Sequence, residues 1–270
     1  AAVESTGSFP VDTLAPSISD TSFSFGESLN ATEDNSEGSA TITTIGVEDG
    51  QTVTLTIASV NYTGTVSNNS AFIAVPAADL QALSEGTQSY AVNVSDEAGN
   101  AAVESTGSFP VDTTAPTVTI SLSDTSLIAG ETATVTFTFS EVPLSFEIGD
   151  IVAENGDISD LLGSDNVYTA IYTPNSNTTD AANDLYVVNM SYTDAAGNVG
   201  SNAFAPNFAI DTNVPNVSSV AITSASGAAN GYLNAGDIVS VTVAMDEATF
   251  VTGSPFITLT IGGTTKQASY

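Results

Sequence analysis

The sequence predicts an all-β chain of tandem sandwich domains in an elongated array, and three observations carry that expectation. The string AAVESTGSFPVDT stands at residues 1–13 and returns unchanged at 101–113, with a degenerate version at Phe208-Ala209-Ile210-Asp211-Thr212. Asp12, Asp112 and Asp211 thus recur at intervals of 100 and 99 residues. That period is too long for a solenoid and fits an array of small independent domains. Second, Thr132–Phe139 alternates strictly, with Ala133, Val135, Phe137 and Phe139 on one face and four threonines on the other. Such a period of two belongs to a strand with one buried face. Third, turn formers such as Ala129-Gly130-Glu131, Glu154-Asn155-Gly156-Asp157 and Ala235-Gly236-Asp237 punctuate the patterned runs.

In chain order, residues 1–13 read as the last strand of a truncated preceding domain, 14–113 and 114–211 as whole domains, and 212–270 as the N-terminal part of a truncated one. About seven short strands in roughly 100 residues is the size of an immunoglobulin-like sandwich. In the first unit Pro16 opens the first strand, where a missing N–H does least harm. Thr52–Ile57 alternates as a strand, Pro76–Leu83 is expected to make one helical turn, and Tyr90–Val94 is the penultimate strand. The second unit opens at Pro116, carries the Thr132–Phe139 strand, and has its penultimate strand over Leu185–Tyr192. The third shows the same alternation at Val239–Val243.

Composition excludes whole classes of function. Of 270 residues one is cationic, Lys266, against 31 acidic ones, for a net charge of −30. Such a chain cannot neutralise a phosphate backbone, which excludes nucleic acid as a partner. No apolar run approaches the roughly 18 residues of a spanning helix, so membrane insertion is not expected either. With no Cys and no His, thiol nucleophiles, Ser-His-Asp triads, zinc sites and disulfides are ruled out. The chain reads as no enzyme: a carboxylate pair alone could serve glycoside hydrolysis, but neither a long functional loop nor a Trp platform accompanies one. The hydrophobic fraction of 41% against 12% charged still provides cores.

The strongest chemical signal is a pair of turns, Asp96-Glu97-Ala98-Gly99-Asn100 and Asp194-Ala195-Ala196-Gly197-Asn198, each in the last hairpin of its unit. In a seven-strand sandwich that hairpin, the loop after the second strand and the incoming linker share one end. Asp112, Glu141, Asp194 and Asn198 are therefore expected to converge where the second unit meets the first. The corresponding set in the first unit is Asp12, Glu48 or Asp49, Asp96 and Asn100. In the third it is Asp211 with Asp246 or Glu247. Oxygen-only donors of this kind suit a hard cation, and Ca²⁺ tolerates irregular sets better than Mg²⁺. Two carboxylates at about 5 Å repel by roughly 3 kcal/mol at an effective dielectric near 20, and the chain holds almost no cation to offset this. The sequence-level metal ligands are thus Asp12, Asp49, Asp96, Asn100, Asp112, Glu141, Asp194, Asn198 and Asp211, with Ca²⁺ as the ion.

These residues resemble a known group. Val111-Asp112-Thr113-Thr114-Ala115-Pro116 with the two Asp-x-Ala-Gly-Asn turns is similar to the tandem bacterial immunoglobulin-like repeats of giant secreted, RTX-type adhesins. Ala129–Thr132, Val135–Glu141, Tyr168-Thr169 and Tyr172-Thr173-Pro174 extend the resemblance along most of the second unit. The first and third units resemble other subtypes. The resemblance implies an extender that holds a terminal binding module away from the cell, stiffened by calcium at the junctions between neighbouring repeats, and exported to the cell surface or medium. The adhesion target is not readable from the chain. The rival readings are a module that itself contacts a polysaccharide, a host surface or ice through outward threonine rows, and an accessory domain of a secreted hydrolase.

Overall fold

The computed structural model describes residue 7 and residues 9–270. The first unit contains β1 (Ser17–Phe23), β2 (Gly38–Ile45), β3 (Thr52–Ile57), β4 (Val60–Ser67), β5 (Ser70–Val75), the helical turn α1 (Ala77–Leu80), β6 (Gly86–Asn93) and β7 (Ser105–Val111). Its strands run in the spatial order β1-β2-β5-β4-β3-β6-β7. Strand β4 pairs along β3 but meets β5 only at Val66 and Ser67, so the sheet folds over at β4. The two halves enclose Ile42, Leu55, Ile73, Leu80, Val92 and Phe109. Full burial of side chains of this kind contributes about 1.5–3 kcal/mol each. Leu29 bridges in parallel to Val111, closing the sandwich beside its last strand.

The second unit contains β8 (Val118–Leu122), β9 (Ser126–Ile128), β10 (Ala133–Phe139), β11 (Ile151–Ala153), β12 (Gly156–Ser164), β13 (Val167–Pro174), β14 (Thr179–Asn183), β15 (Leu185–Val187), β16 (Ala203–Phe204) and β17 (Phe208–Asp211). One sheet has the order β12-β13-β10-β8; the facing layer is divided into β11-β15-β16 and β14-β17-β9. The alternation in β10 is realised, with Ala133, Val135, Phe137 and Phe139 buried in the core. Both complete units are immunoglobulin-like sandwiches, as the sequence predicts. Residues 212–270 form two separate hairpins, β18 (Val217–Ser226) with β19 (Ile238–Met245), and β20 (Phe256–Ile261) with β21 (Thr264–Ser269). Lys266 lies in β21 opposite Leu259.

One expectation is corrected. The strand expected over 185–192 is a strand only at Leu185–Val187, because the chain turns through Met190 at φ 63° and the Ser191 hydroxyl donates to the Val188 carbonyl at 2.8 Å. The string at 1–13 lies partly outside the described residues, and its described part, residue 7 and residues 9–13, is not a strand. The same residues at 105–111 form β7 because β6 is there to pair with it. Phe109 is 3% exposed, whereas Phe9 is 89% exposed with no partner strand among the described residues. A strand needs its sheet.

Candidate metal centre

The seam between the first two units assembles as the topology requires. Carboxylate oxygens of Asp112, Glu141 and Asp194 lie within 4.8 Å of one another. Asp112 arrives on the linker after β7, Glu141 on the loop after β10, and Asp194 on the last hairpin. Short pairings of Thr193 with Leu144 and with Val199 prolong the facing layer towards the seam, and these pairings carry Asp194 to its place. Asp194 is fully buried, while Asp112 and Glu141 are half-buried. Burial, then the charges of Asp194 and Asp112, push the Glu141 carboxyl above the ordinary carboxylate range. Three hard oxygen donors facing one point, on an end with no Lys or Arg, fit a divalent oxygen-seeking cation such as Ca²⁺.

The turn that supplies Asp194 is closed on itself. Asp194 Oδ1 accepts the Asn198 amide at 2.9 Å and Oδ2 accepts Asn198 Nδ2 at 2.7 Å. Gly197 takes φ 93°, which lets the hairpin reverse direction here. Asn198 also donates through Nδ2 to the Asp112 carbonyl at 2.8 Å, and its Oδ1 accepts the Ala31 amide at 2.8 Å. Its amide therefore works as a hydrogen-bonded bridge between turn, linker and the preceding unit. The oxygen assigned to a metal by the sequence already has a partner.

The first unit repeats this construction. Asp96 accepts the Asn100 amide at 2.7 Å and Asn100 Nδ2 at 2.8 Å, and Asn100 Nδ2 reaches the Asp12 carbonyl at 3.3 Å. The Asn100 side chain, then the turn amides, hold the Asp96 carboxyl below its ordinary value against the opposing effect of burial. The Asp12 carboxylate is exposed and accepts the Leu14 amide at 2.9 Å. Of the two acidic residues considered after β2, Glu48 is the one at this turn, accepting the Glu97 amide at 2.9 Å. Asp49 points elsewhere and accepts the Asn68 amide at 2.7 Å.

At the third position, Asp211, Asp246 and Glu247 line a cavity of about 640 Å³ together with Asn177, Thr179 and Asn216. Asp211 accepts the Thr179 hydroxyl at 2.8 Å and Asp246 accepts the Asn216 amide at 2.7 Å. Glu247 is raised by burial and by the charges of Asp211 and Asp246, whereas Asp246 is lowered, chiefly by the Asn216 amide. Among the described residues this end has no triad as close as the one around Asp194. Asn30 and Ala31, which touch the Asp194 turn from the first unit, were not anticipated from sequence; nothing in the alternation or the repeat distinguishes them.

The family of bacterial Ig-like domains matches residues 112–210. The chain is similar to the solved structure of a Ca²⁺-stabilized adhesin that helps an Antarctic bacterium reach out and bind ice, with 26% identity and a TM-score of 0.50. That match covers 96% of this chain, which spans 64% of the length of the adhesin structure. A structure from a 1.5-MDa bacterial ice-binding adhesin is similar in fold at 24% identity and TM-score 0.54, covering 96% of this chain and 84% of that one. A bacterial immunoglobulin-like domain from the ice-binding adhesin of M. primoryensis is 32% identical over 34% of this chain and 95% of its own length, with a TM-score of 0.27. No curated protein sequence matches the chain.

Proposed function

Residues 112–210 being a bacterial Ig-like domain, we propose that the chain is part of the extender of a large bacterial cell-surface adhesin, stiffened by Ca²⁺ between its domains. The observation that carries this reading is the meeting of Asp112, Glu141 and Asp194 within 4.8 Å where two units join. The role is mechanical and non-catalytic, at the cell surface or in the secreted state. The proposed units are 14–113 and 114–211, with parts of further repeats at 1–13 and 212–270, and the partners are neighbouring repeats. The bound cation supplies the positive charge that the chain lacks. Asp112, Glu141 and Asp194 hold it, the Asn198 bridge orients two of them, and the linker angle follows. Glu48, Asp96 and Asp12 form the counterpart on the first unit, and Asp211 with Asp246 and Glu247 the counterpart on the third. The Ca²⁺ stabilization of the similar Antarctic adhesin supports this choice of ion.

The test is small-angle scattering and thermal unfolding of the full chain with chelator, with Ca²⁺, and with NaCl of equal ionic strength. A longer particle and a higher melting temperature in Ca²⁺ alone are expected. At about tenfold excess over Kd each site adds about 1.4 kcal/mol. Glu141→Gln should lower the Ca²⁺ response of the seam while leaving the fold in place. Identical profiles in Ca²⁺ and NaCl would overturn the calcium reading.

A further inference from the structure

We propose that the seam between the first two units is also held by a latch of neutral amides that needs no metal. The Asn30 Nδ2 donates to the Ala196 carbonyl at 2.9 Å, and the Ala31 amide donates to Asn198 Oδ1 at 2.8 Å. Both bonds pass from the first unit to the last hairpin of the second. The linker is tied to both sides as well. The Asp112 amide donates to the Leu29 carbonyl at 3.0 Å, and the Asp112 carbonyl accepts Asn198 Nδ2 at 2.8 Å. Loop, linker and turn thus close a ring of hydrogen bonds around the junction.

Each half of the latch is set before the halves meet. Asn30 Oδ1 accepts the amides of Thr32 at 2.9 Å and Glu33 at 3.1 Å, while the Asn30 amide donates to Glu33 Oε2 at 3.1 Å. The side chain is thereby locked with only its Nδ2 left to point outward. Asn198 is locked in the same way by Asp194. Groups already ordered lose little freedom on pairing, so such a contact holds more firmly than its bond count suggests. Being neutral, it is indifferent to chelation and weakly affected by salt.

The following junction is built differently. Leu29 pairs in parallel with Val111 in the first unit, and Leu127 pairs in parallel with Ile210 in the second. The residues that come next are Asn30 and Ala31 in one case, Ile128 and Ala129 in the other. The second unit therefore has no side-chain donor where Asn30 stands. Asn213, in the linker that follows, donates through Nδ2 to Thr179 Oγ1 of the second unit at 2.8 Å.

The chain has no cysteine, so nitroxide labels go only where they are introduced. Pulsed dipolar spectroscopy on the full chain in chelator would follow Thr41→Cys/Ser121→Cys, a pair across the seam, with Asn30 in place and with Asn30 substituted. A narrow distance distribution is expected with Asn30 in place, against the unrestrained inter-domain motion that is the default. Asn30→Ser, which keeps a turn acceptor but loses the reach, should broaden the distribution about twofold. Asn30→Asp, which keeps the Oδ1 acceptor of both turn bonds and lacks the donor, should do the same if the serine variant disturbs its loop. A distribution that is already broad with Asn30 in place, or one unmoved by both substitutions, would overturn the latch. Adding Ca²⁺ tests the carboxylate reading separately, because that reading requires the Asn30 variants to narrow again with the ion bound.

Discussion

Asp194 and Glu141 lie side by side on the second unit's face of the seam, yet their surroundings treat them in opposite ways. Asp194 gives both oxygens to Asn198 while fully buried. Asp194→Ala leaves those donors without their acceptor, and a loss of about 1–3 kcal/mol from the second unit is expected in urea denaturation under chelator. Glu141 has no such donors and is raised by burial and by its acidic neighbours. A carboxyl raised in the folded state penalises folding at high pH, and the penalty is relieved as pH falls through the folded value towards the unfolded one. Asp96 is lowered, so its contribution is present above the unfolded value and is lost as pH falls through the folded one. Metal-free melting curves should therefore show the second unit gaining stability on mild acidification and the first losing it at lower pH. Glu141→Gln should abolish the gain. The convergence of Asp112, Glu141 and Asp194 was legible in the sequence because strand order alone decides which loops share an end. The choice of Glu48 over Asp49 was not, since adjacent loop residues point by turn geometry. The bridging role of Asn198 was hidden too, because an amide that could serve as a ligand looks the same as one that links two domains.

At the level of elements, strands are set by their partners. Residues 9–11 and 109–111 are identical, and only the copy beside β6 is a strand. Alternation made β3 and β10 legible, because each has one buried face that records itself in every second residue. The break after Val187 left no such record, because Val188, Asn189 and Met190 keep the composition of a strand while Met190 turns to positive φ. Close packing between strands adds a second constraint. A Cβ at Gly200 would stand 2.2 Å from the ring of Tyr192, and one at Gly107 would stand 2.4 Å from the Tyr90 hydroxyl. Tyr192 is buried, and its hydroxyl donates to the carbonyls of Ser201 at 3.0 Å and Pro116 at 3.3 Å, so the ring has little freedom to withdraw. Gly200→Ala should destabilise the second unit by about 1–3 kcal/mol, the range for overpacking. Gly107→Ala should cost less, since Tyr90 is half-exposed and can swing away. Calorimetric scans that follow the two units separately would check the order. Tyr172 gives a further readout: burial first, then Glu154 and Asp157, push its phenol up to about 12. Its ionisation should therefore lag behind that of exposed tyrosines in an alkaline absorbance titration, with stability falling as pH rises above about 10.

Over the whole molecule, the charge of −30 is spread along the chain and the single cation is confined to the last hairpin. Self-repulsion keeps such a chain apart from its copies, and salt shortens the reach of that repulsion to about 10 Å at 0.1 M. At this scale the sequence speaks through the repeated string, whose spacing sets the proposed junctions. The bond from Asn30 to Ala196 was not legible there, because it depends on two loops 166 residues apart that meet only in the folded chain. The near-absence of cations has one more effect. Trypsin-like proteases require Lys or Arg on the substrate, and this chain offers them one peptide bond, after Lys266 in β21. Digestion at any temperature, even of the unfolded chain, should remove residues 267–270 and nothing else, a result that mass spectrometry would read directly. The chain is thus resistant to one major class of proteases through composition, before its fold contributes anything.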